Sequence, residues 1–180
     1  MGHPEALDRI RRKLKSSGGE DAKAAVAIIF NEEGGRLELL LVKRARVPGD
    51  PWSGDMAFPG GKRIHSDGDM METVSREVLE ETGIDLGLTE FLGTLETVYS
   101  AVRPQMGVLP MLFLVEELPE IRINEELSSY HWTEFDKLRW RRGRGLVKGH
   151  DVPVFHIDRE WVWGLTYGIV ERLLALSEED

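Results

Sequence analysis

Two kinds of apolar spacing run along the chain, one with a strand period and one with a helix period. Residues 23–30, KAAVAIIF, and 36–44, RLELLLVKR, are dense in branched aliphatic side chains and are joined by NEEGG. That combination predicts two strands closed by a hairpin. FLGTLETVYS at 91–100 and GVLPMLFLVEEL at 107–118 predict further strands. A short strand is expected around His131–Trp132, followed by one helical turn. VPVFHID and EWVWG, at 152–158 and 160–164, predict a last hairpin.

Helical spacing appears in three places. Leu7, Ile10 and Leu14 share one stripe of a helix over 4–16, which SSGGED then breaks. Its apolar face is expected to pack on the domain or on a second subunit. Residues 164–179 predict a final amphipathic helix. The third stretch, 70–82, carries Met71, Val74 and Val78 on one side. Asp69 is a natural N-cap there, Glu72 closes a capping box, and Gly83 suits the left-handed residue that ends a helix. Between these elements, ARVPGDPWSGDMAFPGG at 45–61 is too rich in Gly and Pro for a regular element and predicts a shaped loop. LRWRRGRGLVKGH at 138–150 predicts an irregular basic stretch. Mixed strands and helices dominated by hairpins point to an α+β layered domain with a mixed sheet.

With 180 residues the chain has room for one domain and a real core. The expected organisation is an N-terminal helix and linker over 1–20 and a single domain over 21–180. A net charge of −9 argues against broad binding to nucleic acid or to an anionic membrane. The chain has no cysteine, which removes disulfides, thiolate nucleophiles and Cys-based zinc sites together. No apolar run reaches the ~20 residues that span a bilayer, and the first residues lack a signal-peptide core. A cytoplasmic protein is expected.

Charge enters the argument most sharply at 76–84, REVLEETGI. On a helix Glu77 and Glu81 are four apart and Glu80 is three from Glu77, so all three are expected to converge on one volume. Exposed like charges at this spacing repel by roughly 0.2–0.5 kcal/mol per pair. A bare E-x-x-E-E is most often a solvated acidic face. Here a glycine loop, FPGGK, lies just upstream, where backbone can approach a ligand closely and Lys62 can face a phosphate. Three hard oxygen donors on a rigid platform suit Mg²⁺ or Mn²⁺, which commonly leave coordination positions for substrate phosphate.

Gly60–Ile84, GGKRIHSDGDMMETVSREVLEETGI, resembles the signature box of the Nudix hydrolases, G-x5-E-x7-R-E-U-x-E-E-x-G-U with U a bulky aliphatic. Arg76, Glu77, Val78, Glu80, Glu81, Gly83 and Ile84 match it. The spacing departs at the front: Gly61 sits one residue early, and Asp67 and Asp69 flank the first acidic slot. One extra loop residue before the helix accounts for this. The resemblance implies a Nudix-type α/β/α sandwich around a central mixed sheet. It implies hydrolysis, with Mg²⁺ or Mn²⁺, of the pyrophosphate in a nucleoside diphosphate linked to another moiety. It further implies Glu77, Glu80 and Glu81 as metal ligands with the Gly60 carbonyl beside them, and Arg76 fixing a glutamate rotamer. For the general base it leaves a box glutamate or a later acidic residue, here Glu125 or Glu126, with Glu126 favoured.

The loop DPWSGDMAFPGG and the tail WVWGLTYGIVERLL resemble the branch of the family assigned as coenzyme A pyrophosphatases. In that branch Arg44 matches a substrate-binding arginine, and Gly60 and Gly61 belong to its glycine loop. The branch's second arginine, six residues on, is replaced here by Asp50. Lys43, Arg46 or the basic stretch Arg139–Arg144 stand as substitutes for it, against a simple solvated loop. Alternatives are ADP-ribose, nucleoside di- or triphosphates, and a non-catalytic nucleotide-sensing module. A Nudix-fold isomerase acting on isopentenyl diphosphate would need a cysteine that the chain lacks. A small-molecule nucleotide partner is implied, and a homodimer is frequent in the family. Trp132, Trp161 and Trp163 are candidates for stacking on a base, and His65 for touching a phosphate; core and surface are the plainer assignments.

Overall fold

A computed structural model describes residues 3–178. Strand β1 (Ala24–Glu33) is its organising element, flanked on opposite edges by β2 (Arg36–Arg44) and β7 (Gly107–Val115). β2 runs antiparallel, with Phe30 opposite Leu39, and β7 runs parallel, with Ala27 opposite Met111. β3 (Met56–Ala57) and β8 (Leu127–Glu134) extend the sheet from β2. β5 (Glu90–Thr94) and β6 (Val98–Tyr99) extend it from β7. β4 (Gly60–Lys62) pairs with the first residues of β1, on the same edge as the hairpin partner β2, which takes the later residues.

Strands buried on both faces read as continuous apolar runs, and β1 and β7 do. Ala25, Ala27 and Ile29 join Leu109, Met111 and Phe113 in one cluster with Val74 and Val78 of helix α2 (Met70–Thr82). Ile28 and Phe30 join Leu112 in a second cluster on the other face. That second cluster also takes Leu7 and Ile10 from α1 (His3–Arg12), and Ile169, Val170 and Leu173 from α3 (Gly164–Ser177). Each fully buried large aliphatic side chain contributes roughly 1.5–3 kcal/mol. The result is the expected α/β/α sandwich around a mixed sheet.

Three boundaries differ from expectation. α1 stops at Arg12 instead of residue 16, because Lys15 exchanges both backbone hydrogen bonds with Thr94 and pulls the chain into an extended bridge. Its apolar stripe is covered by its own α3, where Arg9 also donates to the Ser177 carbonyl, so that face is not left for a second subunit. The final helix ends at Ser177. The expected irregular basic stretch is in fact a short 3₁₀ helix, Asp136–Arg141, followed by β9 (Arg142–Val147). β9 joins β10 (His150–Ile157) and β11 (Glu160–Val162) in a separate antiparallel sheet. Gly143 and Gly145, which read as loop residues, are strand positions kept bare by neighbouring rings: a Cβ there would lie 2.5 Å from the His156 ring and 2.7 Å from that of Trp161.

Candidate active site

β4 and α2 carry the site, and two glycines let them approach. Gly60 has φ of 152° and lies so close to β1 that a Cβ would fall 2.2 Å from the Ala25 carbonyl oxygen. At Gly61 a Cβ would sit 2.4 Å from the Glu77 carboxyl carbon. The first glycine therefore seats the strand on the sheet, and the second makes room for an acidic side chain.

α2 spans the expected residues. Asp69 caps it by accepting the Glu72 amide at 2.8 Å, and the Glu72 carboxylate accepts from Gly68, one residue beyond the usual box partner, at 2.6 Å. Gly83, at φ 75°, donates its amide to Leu79 at 2.9 Å. The residue fully committed to the core in the first turn is Met70, with the expected Met71 only half-buried.

Arg76 is held in place from two sides. Its Nε and Nη2 donate to the two oxygens of Asp67 at 3.0 and 2.9 Å, and Nη1 donates to Glu77 Oε1 at 2.8 Å. Asp67 also accepts from Thr73 Oγ1 and from the Ile64 amide. These hydrogen bonds, that from Arg76 first, hold the Asp67 carboxyl well below its ordinary value of 3.8. The same pair raises the Arg76 guanidinium. The extra loop residue thus buries an aspartate behind Arg76 where the signature box has a glutamate.

The carboxylates that meet are Glu77, Glu81 and Glu126, with one oxygen from each within 4.8 Å of the others. Glu80, expected in this group, is absent from it. One residue before Glu81, it is rotated about 100° around the helix away from that side chain. It leans instead on Arg76 one turn earlier, at 3.7 Å, and stays largely exposed. It still lines the cavity in front of the trio. Glu126 reaches the helix because its segment is stitched to the end of α2. Asn124 donates its amide to the Glu81 carbonyl, Arg122 donates to that of Thr82, and the Glu126 carbonyl accepts from Ala45.

Glu81 is 2% exposed, and Oε2 accepts the Gly60 amide at 3.0 Å. Burial pushes its carboxyl up to about 8; the Gly60 hydrogen bond opposes this, and the charges of Glu77 and Glu126 add to it. Three acidic groups around one point, one of them buried, form an unfavourable arrangement by themselves. A hard divalent cation relieves it, and the all-oxygen donor set fits Mg²⁺ or Mn²⁺.

In front of the trio opens a cavity of about 550 Å³. Gly60, Gly61 and Lys62 line its carboxylate end, while Trp52, Met56, Phe58, Trp163 and Leu165 give it apolar and aromatic walls. Arg44 lines it too, donating from Nη2 to Asp50 at 3.0 Å, while its buried Nε lacks a partner among the described residues. Lys62 has an exposed side chain, and its carbonyl accepts from Arg76. His65 is exposed and outside the cavity lining; Trp132 packs against the core cluster behind α2. Trp161 packs against the His156 ring, also away from the cavity. Trp163 reaches the cavity wall and donates to Asp55 at 3.2 Å. The basic stretch lines no part of the cavity, and its Arg139, Arg142 and Arg144 pair with Glu178, Glu171 and Asp151.

The fold and this acidic trio define a class of protein, and sequence comparison agrees with it. The NUDIX domain model matches residues 21–150, and the chain belongs to the NUDIX family. An uncharacterized Nudix hydrolase, NudL, of Yersinia enterocolitica is 34% identical over 134 residues, covering 67% of this chain and 65% of its own length. The mitochondrial coenzyme A diphosphatase NUDT8 of Mus musculus is 30% identical over 182 residues, covering 96% of this chain and 84% of its own. An uncharacterized protein of Schizosaccharomyces pombe is 36% identical over 103 residues; the match covers 52% of this chain but only 31% of that protein. Among solved structures, a MutT protein from Methanosarcina mazei superposes with a TM-score of 0.58 at 21% identity, covering 87% of this chain and 94% of the other. No helix among the described residues is long and apolar enough to cross a membrane.

Proposed function

We propose that this chain hydrolyses the pyrophosphate linkage of a nucleoside diphosphate joined to a second moiety, with Mg²⁺ or Mn²⁺, and that coenzyme A or its acyl derivatives are the substrates. The observation that carries the reading is the trio Glu77, Glu81 and Glu126 at one end of a cavity whose other walls are apolar and aromatic. A substrate with a diphosphate, a base and a long neutral arm matches that division. The mouse relative is a coenzyme A diphosphatase by name, which supports the choice. That relative is mitochondrial by name, so it gives no support to the expectation of a cytoplasmic protein.

Glu77, Glu81 and Glu126 would hold the cation, with Glu80 and the Gly60 carbonyl completing the donors at the cavity edge. When bound, a divalent cation neutralises the diphosphate and acidifies water. Arg76 fixes the Glu77 carboxylate, and Asp67 fixes Arg76. The Gly60 amide turns one Glu81 oxygen away from solvent. Glu126, the exposed member, is the residue assigned to take a proton from the attacking water at its carboxylate. Lys62 and Arg44 offer charge to the phosphates as negative charge grows on the leaving group.

A second reading, ADP-ribose or a nucleoside di- or triphosphate, is favoured by one observation. Asp50 neutralises Arg44, which leaves less positive charge for a highly anionic substrate. A panel of coenzyme A, acetyl-coenzyme A, ADP-ribose, dinucleoside polyphosphates and nucleoside triphosphates, each with and without Mg²⁺, separates the readings. Metal-dependent release of a nucleoside bisphosphate from coenzyme A is expected. Cleavage of ADP-ribose alone would establish the second reading, and cleavage of none would leave the nucleotide-sensing module.

A further inference from the structure

We propose that Trp52 and Arg103 form a subsite for a nucleoside carrying a ribose phosphomonoester, so that the enzyme selects substrates with that extra phosphate over those without it. The inference rests on the reading above and names the part of the substrate that its second cationic position takes.

Arg103 places its guanidinium 5.0 Å from the centre of the Trp52 ring, and both residues line the cavity. Among the described residues no hydrogen bond or ion pair engages that guanidinium. Its five N–H donors are therefore free for a ligand, unlike those of Arg44, which Asp50 already engages. The other unpaired cation lining the cavity, Lys62, stands at the carboxylate end, where the diphosphate would lie.

The Trp52 main chain is held by Asp50. Asp50 accepts the Trp52 amide at 3.0 Å with one oxygen and Arg44 Nη2 at 3.0 Å with the other. Burial works against the charged Asp50, yet these two hydrogen bonds and the nearby cations leave its carboxyl below the ordinary 3.8. The aspartate that replaces a cation of the related branch thus anchors the aromatic wall. Arg103 is on a loop held by few bonds: Ser100 Oγ accepts its amide and that of Val102, and its carbonyl accepts from Met106. A flat indole with a planar, unpaired fork lying over it supplies an aromatic surface for a base and donors for a phosphate in one place. The loop can adjust its distance from the ring without breaking an ion pair.

The test compares coenzyme A with dephospho-coenzyme A, which differ only in the ribose phosphomonoester. For the unaltered protein kcat/KM is expected to favour coenzyme A by about tenfold or more, the scale of one charge-assisted contact. Arg103→Met, which keeps the stem on the indole, should lower the coenzyme A value until the two substrates are level; Arg103→Lys should recover part of the preference. Binding of adenosine 3′,5′-bisphosphate and of AMP, measured by calorimetry without turnover, should show the same preference and the same collapse. A preference that survives Arg103→Met in both measurements overturns the proposal. If neither coenzyme is cleaved, the proposed activity fails, and the calorimetric comparison still decides the subsite. Circular-dichroism melting confirms that each variant is folded.

Discussion

Arg76 and Asp67, nine residues apart, meet as a fork on a carboxylate, with Nε on one oxygen and Nη2 on the other. Asp67 is not on α2, yet it holds the arginine of that helix, and Arg76 in turn holds Glu77. The pair also makes stability depend on acid. A carboxyl held below its ordinary value contributes stability above that value and loses it as pH falls through its folded-state pKa. Asp67→Asn should therefore lower the melting temperature at neutral pH and flatten its decline below about pH 4. Melting curves across that range check this, and Glu77-dependent turnover should fall alongside.

Glu81 behaves in the opposite sense. Its carboxyl is pushed up to about 8 from 4.5, so the neutral form suits the cation-free fold. Its contribution is fully present below 4.5 and is lost as pH rises through about 8. Cation binding needs the charged form and should release a proton near neutrality. Apparent Mg²⁺ or Mn²⁺ affinity should rise by about tenfold per pH unit below about pH 8 and then level off. Calorimetry in two buffers of different ionisation heat measures the proton directly, and Glu81→Gln should remove both the slope and the binding.

The two glycines should fail differently. Gly60→Ala forces a side chain against the Ala25 backbone at a strained φ, so it should cost roughly 2 kcal/mol or more of folding stability. Gly61→Ala meets only the movable Glu77 carboxylate. It should leave the melting temperature nearly intact while cutting kcat by about 100-fold, the scale of losing one positioned charged group. Melting and turnover measured on both variants separate the two roles.

Glu80 and Glu126 should also part. Glu126→Gln removes a member of the trio and is expected to lower kcat by about 100-fold or more. Glu80→Gln removes an exposed neighbour of Arg76 and is expected to cost about tenfold or less. Steady-state kinetics at saturating Mg²⁺ compares them.

The sheet and α2 were legible in sequence because their signals are local. β1 and β7 are apolar runs, and α2 has its cap, its stripe and its terminal glycine written within fifteen residues. The trio was only half legible. Helical spacing brings Glu77 near Glu81, but Glu126 arrives through backbone bonds from a loop forty-five residues on, and spacing cannot show that. Asp67 was passed over because its partner is decided by how an irregular loop folds. β9 was missed because its two glycines and two arginines look like loop chemistry; only the rings of His156 and Trp161 explain the bare positions. Trp52 and Arg103 lie on separate loops and carried no joint pattern at all.

β1 has a divided edge. Its later residues pair with β2, and its first three pair with β4 on the same side. The acidic end of the cavity is thereby tied to the sheet's central strand by main-chain pairing. The stretch between β2 and β4, which carries Asp50 and Trp52, hangs between those two fixed points. Substitutions in that span can then change the cavity wall without displacing the strand that carries the acidic end.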